Sequence, residues 1–388
     1  MKKIYYGSQY LFNQDISEVK KSLKNRLISS GPYVIRFERE IRKFLSSKYA
    51  FSCNSGTSAL FISLMSINLK KGDNIIVPAI NFVAVSNIIK FFNANIFLAD
   101  VDKDSGHMTP ESLENVIKLN KLKKVKAIIT MHIGGYPIYI DDFYQLKKKY
   151  NCLIIEDACH ALGAEYLHKK KYIKVGSCKH ADISTFSLHP LKTITSGEGG
   201  IITTNNKNFA DKIQLIRSHG IIRKKNKHWS YDVTSIGFNF RLSDINCALS
   251  LSQLKNIKKI IDVRKKIHEK YLKFFKSKEK LITFKQDHKK IKPSFHLINI
   301  SINFKKFNIN KDQFFKKLIK KNIFCQFHYI PIYKFSNFKY LKKNNHFPGA
   351  EYYYQNNISI PIHLNLNSRD IKYICYNLHK ILSSKIIL

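Results

Sequence analysis

Apolar and polar positions change their spacing several times along this chain, and the changes mark out its elements. Between about Lys48 and Asn206, short apolar runs alternate with stretches of helical spacing. The runs include Asn74 to Pro78, Asn95 to Ala99, Lys126 to Thr130 and Cys152 to Ile155. Apolar on both faces, they predict strands of a mostly parallel sheet covered by helices on each side. The most apolar stretch, Asn74 to Ala99, is interrupted by Pro78, Asn81, Asn87, Lys90 and Asn93. That pattern predicts a strand, a helix and a strand, because a membrane span needs roughly 20 apolar residues.

Further on, Thr203 to Arg217 leads into a helix and Ser243 to Lys270 is strongly helical in its spacing. The pattern then changes. Strand-like Phe295 to Ile302, helical Asn310 to Lys321, strand-like Phe324 to Tyr329 and a closing helix from Ser368 to Leu382 predict a smaller α+β unit. The division falls near residue 265, giving a large α/β domain over 1–265 and a small C-terminal α+β domain over 266–388. A length of 388 residues suits two such cores.

Composition narrows the class. With 44% hydrophobic residues the chain can build a core, which excludes a disordered protein. The seven cysteines include no Cys-x-x-Cys pair, so a zinc ribbon or disulfide framework is not expected, and reduced thiols fit the cytoplasm. Met1-Lys2-Lys3 is basic, but Tyr5 to Asp15 is too polar for the apolar part of a signal peptide. The formal charge of +40 comes from lysines spread along the whole length, together with abundant Ile and Asn. All three residues have AT-rich codons, and coding bias explains much of the excess. The functional reading is a field that draws in anions. No basic run is interleaved with a regular aromatic series, so no nucleic-acid partner is expected, and the interrupted apolar stretch gives no expectation of a membrane partner.

Three segments carry candidate chemistry. In Ile154-Ile-Glu-Asp157-Ala-Cys-His160, an apolar strand runs into a carboxylate at the end that faces the ligand crevice in open α/β sheets. A strand-end Asp also caps helices. In Asp182 to Gly200, a strand ends at Ser187 and a turn presents Lys192 before a glycine-containing bend. In Asn54-Ser55-Gly56-Thr57-Ser58, hydroxyls open a helix whose N-terminus suits a phosphate or an ordinary cap. A lysine for a Schiff base, a carboxylate for a pyridinium nitrogen and a phosphate site together match pyridoxal phosphate chemistry.

These segments, above all Phe186-Ser-Leu-His-Pro-Leu-Lys192 with Gly197-Glu-Gly-Gly200, resemble the DegT/DnrJ-type sugar aminotransferases, of fold-type I, over nearly the whole chain. The resemblance implies pyridoxal 5′-phosphate as cofactor, with Lys192 as its covalent anchor and Asp157 as partner of the ring nitrogen. It places His160 near the ring, Phe82 stacked on it, and Gly56, Thr57, Ser58 and Ser187 near the phosphate. Asn239 would reach the phosphate of a neighbouring subunit in a homodimer with shared sites. Tyr6, Arg26, Leu27, Ile28, Ser29, His189, Gln326, His328 and Tyr329 would line the sugar-nucleotide pocket. Without the resemblance, Phe82 could be core, Asn239 a structural corner, and His328 with Tyr329 a strand end.

Within the family, Arg217-Ser-His-Gly220, Ser235 to Leu242 and His328 to Tyr333 are most similar to enzymes of pseudaminic acid synthesis. The resemblance implies transfer of an amino group from L-glutamate to C4 of a UDP-linked 4-keto-6-deoxy-N-acetylhexosamine. Gly56 departs from the alanine at the similar position in those enzymes. A lysine at 192, where one branch of the superfamily has histidine and dehydrates, favours transamination. The alternatives are another nucleotide-sugar aminotransferase, such as one making a perosamine-type 4-amino sugar, and a non-catalytic regulatory or nucleic-acid-binding relative.

Overall fold

The short apolar runs become the strands of one central sheet. The structure is a computed structural model and describes residues 2–227, 229–276, 282–283, 289–343 and 346–383. Seven strands build the sheet: β1 (Tyr49–Cys53), β2 (Asn74–Pro78), β3 (Asn95–Ala99), β4 (Ala127–Met131), β5 (Leu153–Asp157), β6 (Ile183–Ser187) and β7 (Gly200–Thr204). Their order is β1-β7-β6-β5-β4-β2-β3. All lie parallel except β7, which runs antiparallel to both neighbours. Every residue of β4 and β7 is buried, as expected for strands covered on both faces.

The direction of β7 matters for the site. Ser187 at the end of β6 pairs with Gly200 at the start of β7. The segment between them is therefore a hairpin connection, not a crossover, and it leaves and re-enters the sheet at one place. Helix α1 (Gly56–Ser66) follows β1 and packs on β6 and β7. Its apolar residues face inward nearly all round, which marks a buried helix.

The C-terminal elements differ from the sequence reading in two respects. The helical stretch from Ser243 is two helices, Asp244–Lys255 and Ile257–Phe275, divided at Asn256, whose backbone leaves helical geometry (φ −99°, ψ 3°). Position 265 lies inside the second of them. The expected strand over Phe324 to Tyr329 is regular only at Ile323–Phe324. Those two residues pair with Ile4–Tyr5, whereas Gln326 bonds to Ser359. The chain thus changes partners within three residues and cannot continue one ladder. The remaining elements include an antiparallel pair, Ile298–Ser301 with Asn357–Ile360, and the helices Lys311–Ile319 and Ser368–Ser383. No helix among the described residues is long and apolar enough to cross a membrane.

Candidate active site

A cavity of about 550 Å³ opens at the carboxyl ends of β5 and β6 and the start of α1. Lys192 and Asp157 both line it, as do His160, Ser187, Gly56 and Thr57. The convergence follows from the sheet: parallel strands end on one side, and the crevice beyond those ends collects the side chains that follow them.

The lysine segment is held by its own hydrogen bonds. Leu188 N donates to Gly199 O at 2.8 Å, and Ser196 N donates to Leu188 O at 3.0 Å. Lys192 N donates to His189 O at 2.9 Å. Gly197 takes φ +83°, and its N–H donates to Thr195 Oγ1 at 2.9 Å. Glycine enters that left-handed region without steric cost. Burial holds the Lys192 amine below the ordinary lysine range. A larger neutral fraction makes it a better nucleophile than a surface lysine.

Asp157 ends β5 with almost no exposure. Its Oδ1 accepts from Cys159 N at 3.2 Å. Burial raises the carboxyl above its usual value, and the charge of Lys192 opposes that rise. A cation brought to this carboxylate would be strongly favoured, because burial weakens the screening of its charge.

His160 is fixed from two sides. Its Nδ1 accepts from Gly134 N at 3.2 Å, so the neutral ring carries its proton on Nε2. That proton points to the Tyr329 hydroxyl, 2.9 Å away. Burial drives the imidazole well below its ordinary value, which keeps it neutral. Phe82 is half exposed and its ring centre lies 5.7 Å from that of Tyr329.

His328 sits in a closed ring of hydrogen bonds. Ser359 Oγ donates to Asn299 Oδ1 at 2.6 Å, and must then accept from His328 Nδ1 at 2.8 Å. Asn299 Nδ2 donates to Tyr353 Oη at 3.1 Å, and Tyr353 donates back to His328 O at 3.0 Å. The ring leaves His328 Nε2 as an acceptor, and burial pushes its pKa down to about 3. Tyr6 packs beside it, with ring centres 5.2 Å apart.

At the start of α1, Ser55 is the N-cap and accepts from Ser58 N at 3.0 Å. Its hydroxyl also lies 2.9 Å from the Ser58 hydroxyl. Gly56 touches the end of β6 so closely that a Cβ there would stand 2.8 Å from Ser187 Cβ. The backbone at the helix start therefore lies against Ser187, and together they form a cradle of N–H and hydroxyl groups that suits an anion. Asn81 Nδ2, buried in the same wall, has no hydrogen-bond partner among the described residues, and Glu198 adds a carboxylate at the rim. An enclosed amine, a buried carboxylate and an anion cradle in one cavity fit pyridoxal phosphate.

Of the residues singled out from the sequence, Tyr6, Gly56, Thr57, Phe82, Asp157 and His160 line this cavity. So do Ser187, His189, Lys192, Gln326, His328 and Tyr329. Ser58 is buried behind the helix start, bonded to Ser55. Arg26, Leu27, Ile28 and Ser29 do not line the cavity of this chain. They are exposed, with Ile28 O accepting from Asp244 N at 3.0 Å. Asn239 is likewise exposed, and its carbonyl accepts from Asn54 Nδ2 at 3.4 Å. Sequence reasoning missed Asn81, Glu198 and His296. Glu198 stood in the quoted motif. His296 comes from far along the chain to rest 4.4 Å from the His160 ring, and no local pattern announces it.

The chain is similar to known proteins over almost all of its length. The description of the DegT/DnrJ/EryC1/StrS aminotransferase family matches residues 9–379. A UDP-4-amino-4,6-dideoxy-N-acetyl-beta-L-altrosamine transaminase of Campylobacter jejuni is 36% identical, covering 98% of this chain and 97% of its own. The solved structure of Helicobacter pylori PseC, an aminotransferase involved in the biosynthesis of pseudoaminic acid, superposes with a TM-score of 0.89. It is 31% identical and covers 99% of this chain and 100% of its own. The PLP-form of a sugar aminotransferase, Spr1654 from Streptococcus pneumoniae, superposes with a TM-score of 0.88 at 25% identity, with 100% of each chain covered. With this match spanning the sheet, the lysine hairpin and the C-terminal elements, the chain belongs to the DegT/DnrJ/EryC1/StrS aminotransferase family.

Proposed function

We propose that this aminotransferase uses pyridoxal 5′-phosphate to move an amino group from L-glutamate to C4 of a UDP-linked 4-keto-6-deoxy-N-acetylhexosamine, on the route to pseudaminic acid. The observation that carries the reading is the shared cavity of the Lys192 amine, the buried Asp157 carboxylate and the start of α1. The substrate class rests on the similarity to the Campylobacter and Helicobacter enzymes.

When bound, the cofactor supplies a carbonyl that captures amines and a ring that withdraws electrons. The protein's own residues do the rest. Lys192 Nζ would hold the cofactor, and its amine would carry the proton to and from the α-carbon of the donor. Asp157 pairs with the ring nitrogen and favours its protonated form. Phe82 covers the ring, and His160, fixed by Gly134 and Tyr329, stays neutral beside it. Gly56, Thr57 and Ser187 cradle the phosphate. The acceptor nitrogen of His328, with Tyr6, His189, Gln326 and Tyr329, orients the sugar.

The assembly we propose is a homodimer in which Asn239 and Arg26 to Ser29 complete the site of the other copy. Leu27, Ile28, Tyr231, Val233, Ile236 and Phe238 are all exposed, an apolar set that a second copy would cover. A cytoplasmic location agrees with reduced cysteines, all seven of which are free.

Absorbance tests the reading directly. Protein incubated with pyridoxal phosphate should turn yellow, bleach with L-glutamate and regain its colour with the UDP-4-keto sugar. The structure of the amino-sugar product separates this substrate from a perosamine-type one. Lys192→Ala should lose both the lysine-bound absorbance and turnover, and normal turnover by that variant would overturn the assignment.

A further inference from the structure

We propose that Asp141, His168 and His180 form a divalent-cation site of the zinc class, separate from the aminotransferase cavity. One donor atom from each of the three lies within 4.8 Å of the others. Asp141 Oδ1 is 2.8 Å from His168 Nδ1 and 3.8 Å from His180 Nδ1. Donors around a tetrahedral zinc, each about 2.0–2.2 Å from the metal, stand a little over 3 Å apart. Small side-chain rotations convert the present spacing to that one. Two imidazoles and a carboxylate are also a common zinc donor set.

Three separate elements deliver these ligands. Asp141 lies in the first turn of helix α2 (Ile140–Tyr150), His168 ends the strand Glu165–His168, and His180 lies in the loop that leads into β6. His180 is the buried member, and its ring is 4.5 Å from that of His168. The Tyr166 hydroxyl, 2.7 Å from His180 Nδ1, holds the place from which a metal would displace it. A separate cavity of about 780 Å³ adjoins the cluster and is lined by both Asp141 and Tyr166, so a water can complete the coordination.

The charge around this cavity departs from the rest of the molecule. The chain carries 67 Lys and Arg against 27 Asp and Glu. Yet Asp102, Asp141 and Asp142 gather on this one cavity, facing Lys289 and Lys290. Of the opposing cations, Lys179 adjoins His180 in the chain and its charge acts on that ring, while Lys148 lies over the Tyr144 ring that packs on His180. A metal here would tie α2 and the Glu165–His168 strand to the segment that sets β6, and hence to the strand ending at Ser187. It takes no part in amino transfer.

Cobalt(II) reports this geometry. Tag-free protein loaded with pyridoxal phosphate should bind one equivalent of Co²⁺ with the intense visible bands of a tetrahedral complex, and Zn²⁺ should displace it. His168→Gln and Asp141→Asn, both at partly exposed positions, should weaken Zn²⁺ binding at least about tenfold while aminotransferase activity is kept. Zn²⁺ should also raise the melting temperature of the unaltered protein, and a chelator should reverse the rise. Absence of tetrahedral bands in the unaltered protein would overturn the proposal. So would Co²⁺ binding that both variants retain, since the ion would then sit elsewhere, for example among the histidines of the active site.

Discussion

Tyr329 shows how much a single hydroxyl can carry. It meets the one proton of the neutral His160 ring, in a place that water does not reach freely. Tyr329→Phe keeps the ring beside Phe82 but leaves a buried N–H without a partner, which costs about 1–3 kcal/mol. The expected result is a lower melting temperature and weaker cofactor retention, read by thermal denaturation and by absorbance after dialysis. Gly56 offers a second test at this scale. Gly56→Ala places a methyl 2.8 Å from Ser187 Cβ, so the helix start and the strand end must separate. A loss of about 1–3 kcal/mol follows from such overpacking. Adding Ser187→Gly should return part of the stability; if the double variant is worse than the sum of the two, the contact is not the cause. His296 was invisible from the sequence for a reason that belongs to this scale. Its ring reaches His160 only after two distant segments fold together, so no spacing records it.

At the scale of elements, β5 and β6 show what was legible. The apolar run of β5 ends in Asp157 and the strand β6 ends in Ser187, and the strand-end rule places both at the ligand crevice. The hydroxyl-rich start of α1 was equally plain, with Ser55 as the N-cap. The break at Asn256 was not, because the apolar spacing continues across it, and nor was the change of partners near Gln326, which depends on elements far away in the chain. Within β5, Glu156 neighbours Asp157 but faces away to a different purpose. Burial acts to raise its pKa, yet His132 and Ser184 beside it outweigh burial and hold the carboxyl below its ordinary 4.5. A depressed carboxylate stabilises the fold above its unfolded pKa, and that contribution is lost as pH falls through the folded value. Melting temperature should therefore fall as pH drops from about 4.5 downward. Glu156→Gln should be less stable at neutral pH and show a shallower acid slope, which melts across an acid series would reveal.

For the molecule as a whole, the mostly parallel sheet is what the alternating runs predict, whereas its strand order and the assembly are not written in them. Apolar residues such as Ile236, 71% exposed, occur in a polar, lysine-rich sequence without any periodicity that would flag them. Only the folded surface brings them out. Ile236→Asp should shift the proposed dimer toward monomer in sedimentation and reduce turnover, while the isolated chain keeps its melting behaviour. A monomer with full activity would contradict shared sites.

The reversed strand β7 has a consequence for how such enzymes can diversify. Because Ser187 and Gly200 face each other in register, the residues between them form an insert with a common entrance and exit. Their length and composition can change without sliding any strand, so the lysine proposed to hold the cofactor rides on a replaceable cassette. Exchanging that cassette between relatives should keep a working lysine, whose burial and Asp157 partner stay with the host, and should alter sugar preference only through His189, which travels with the cassette.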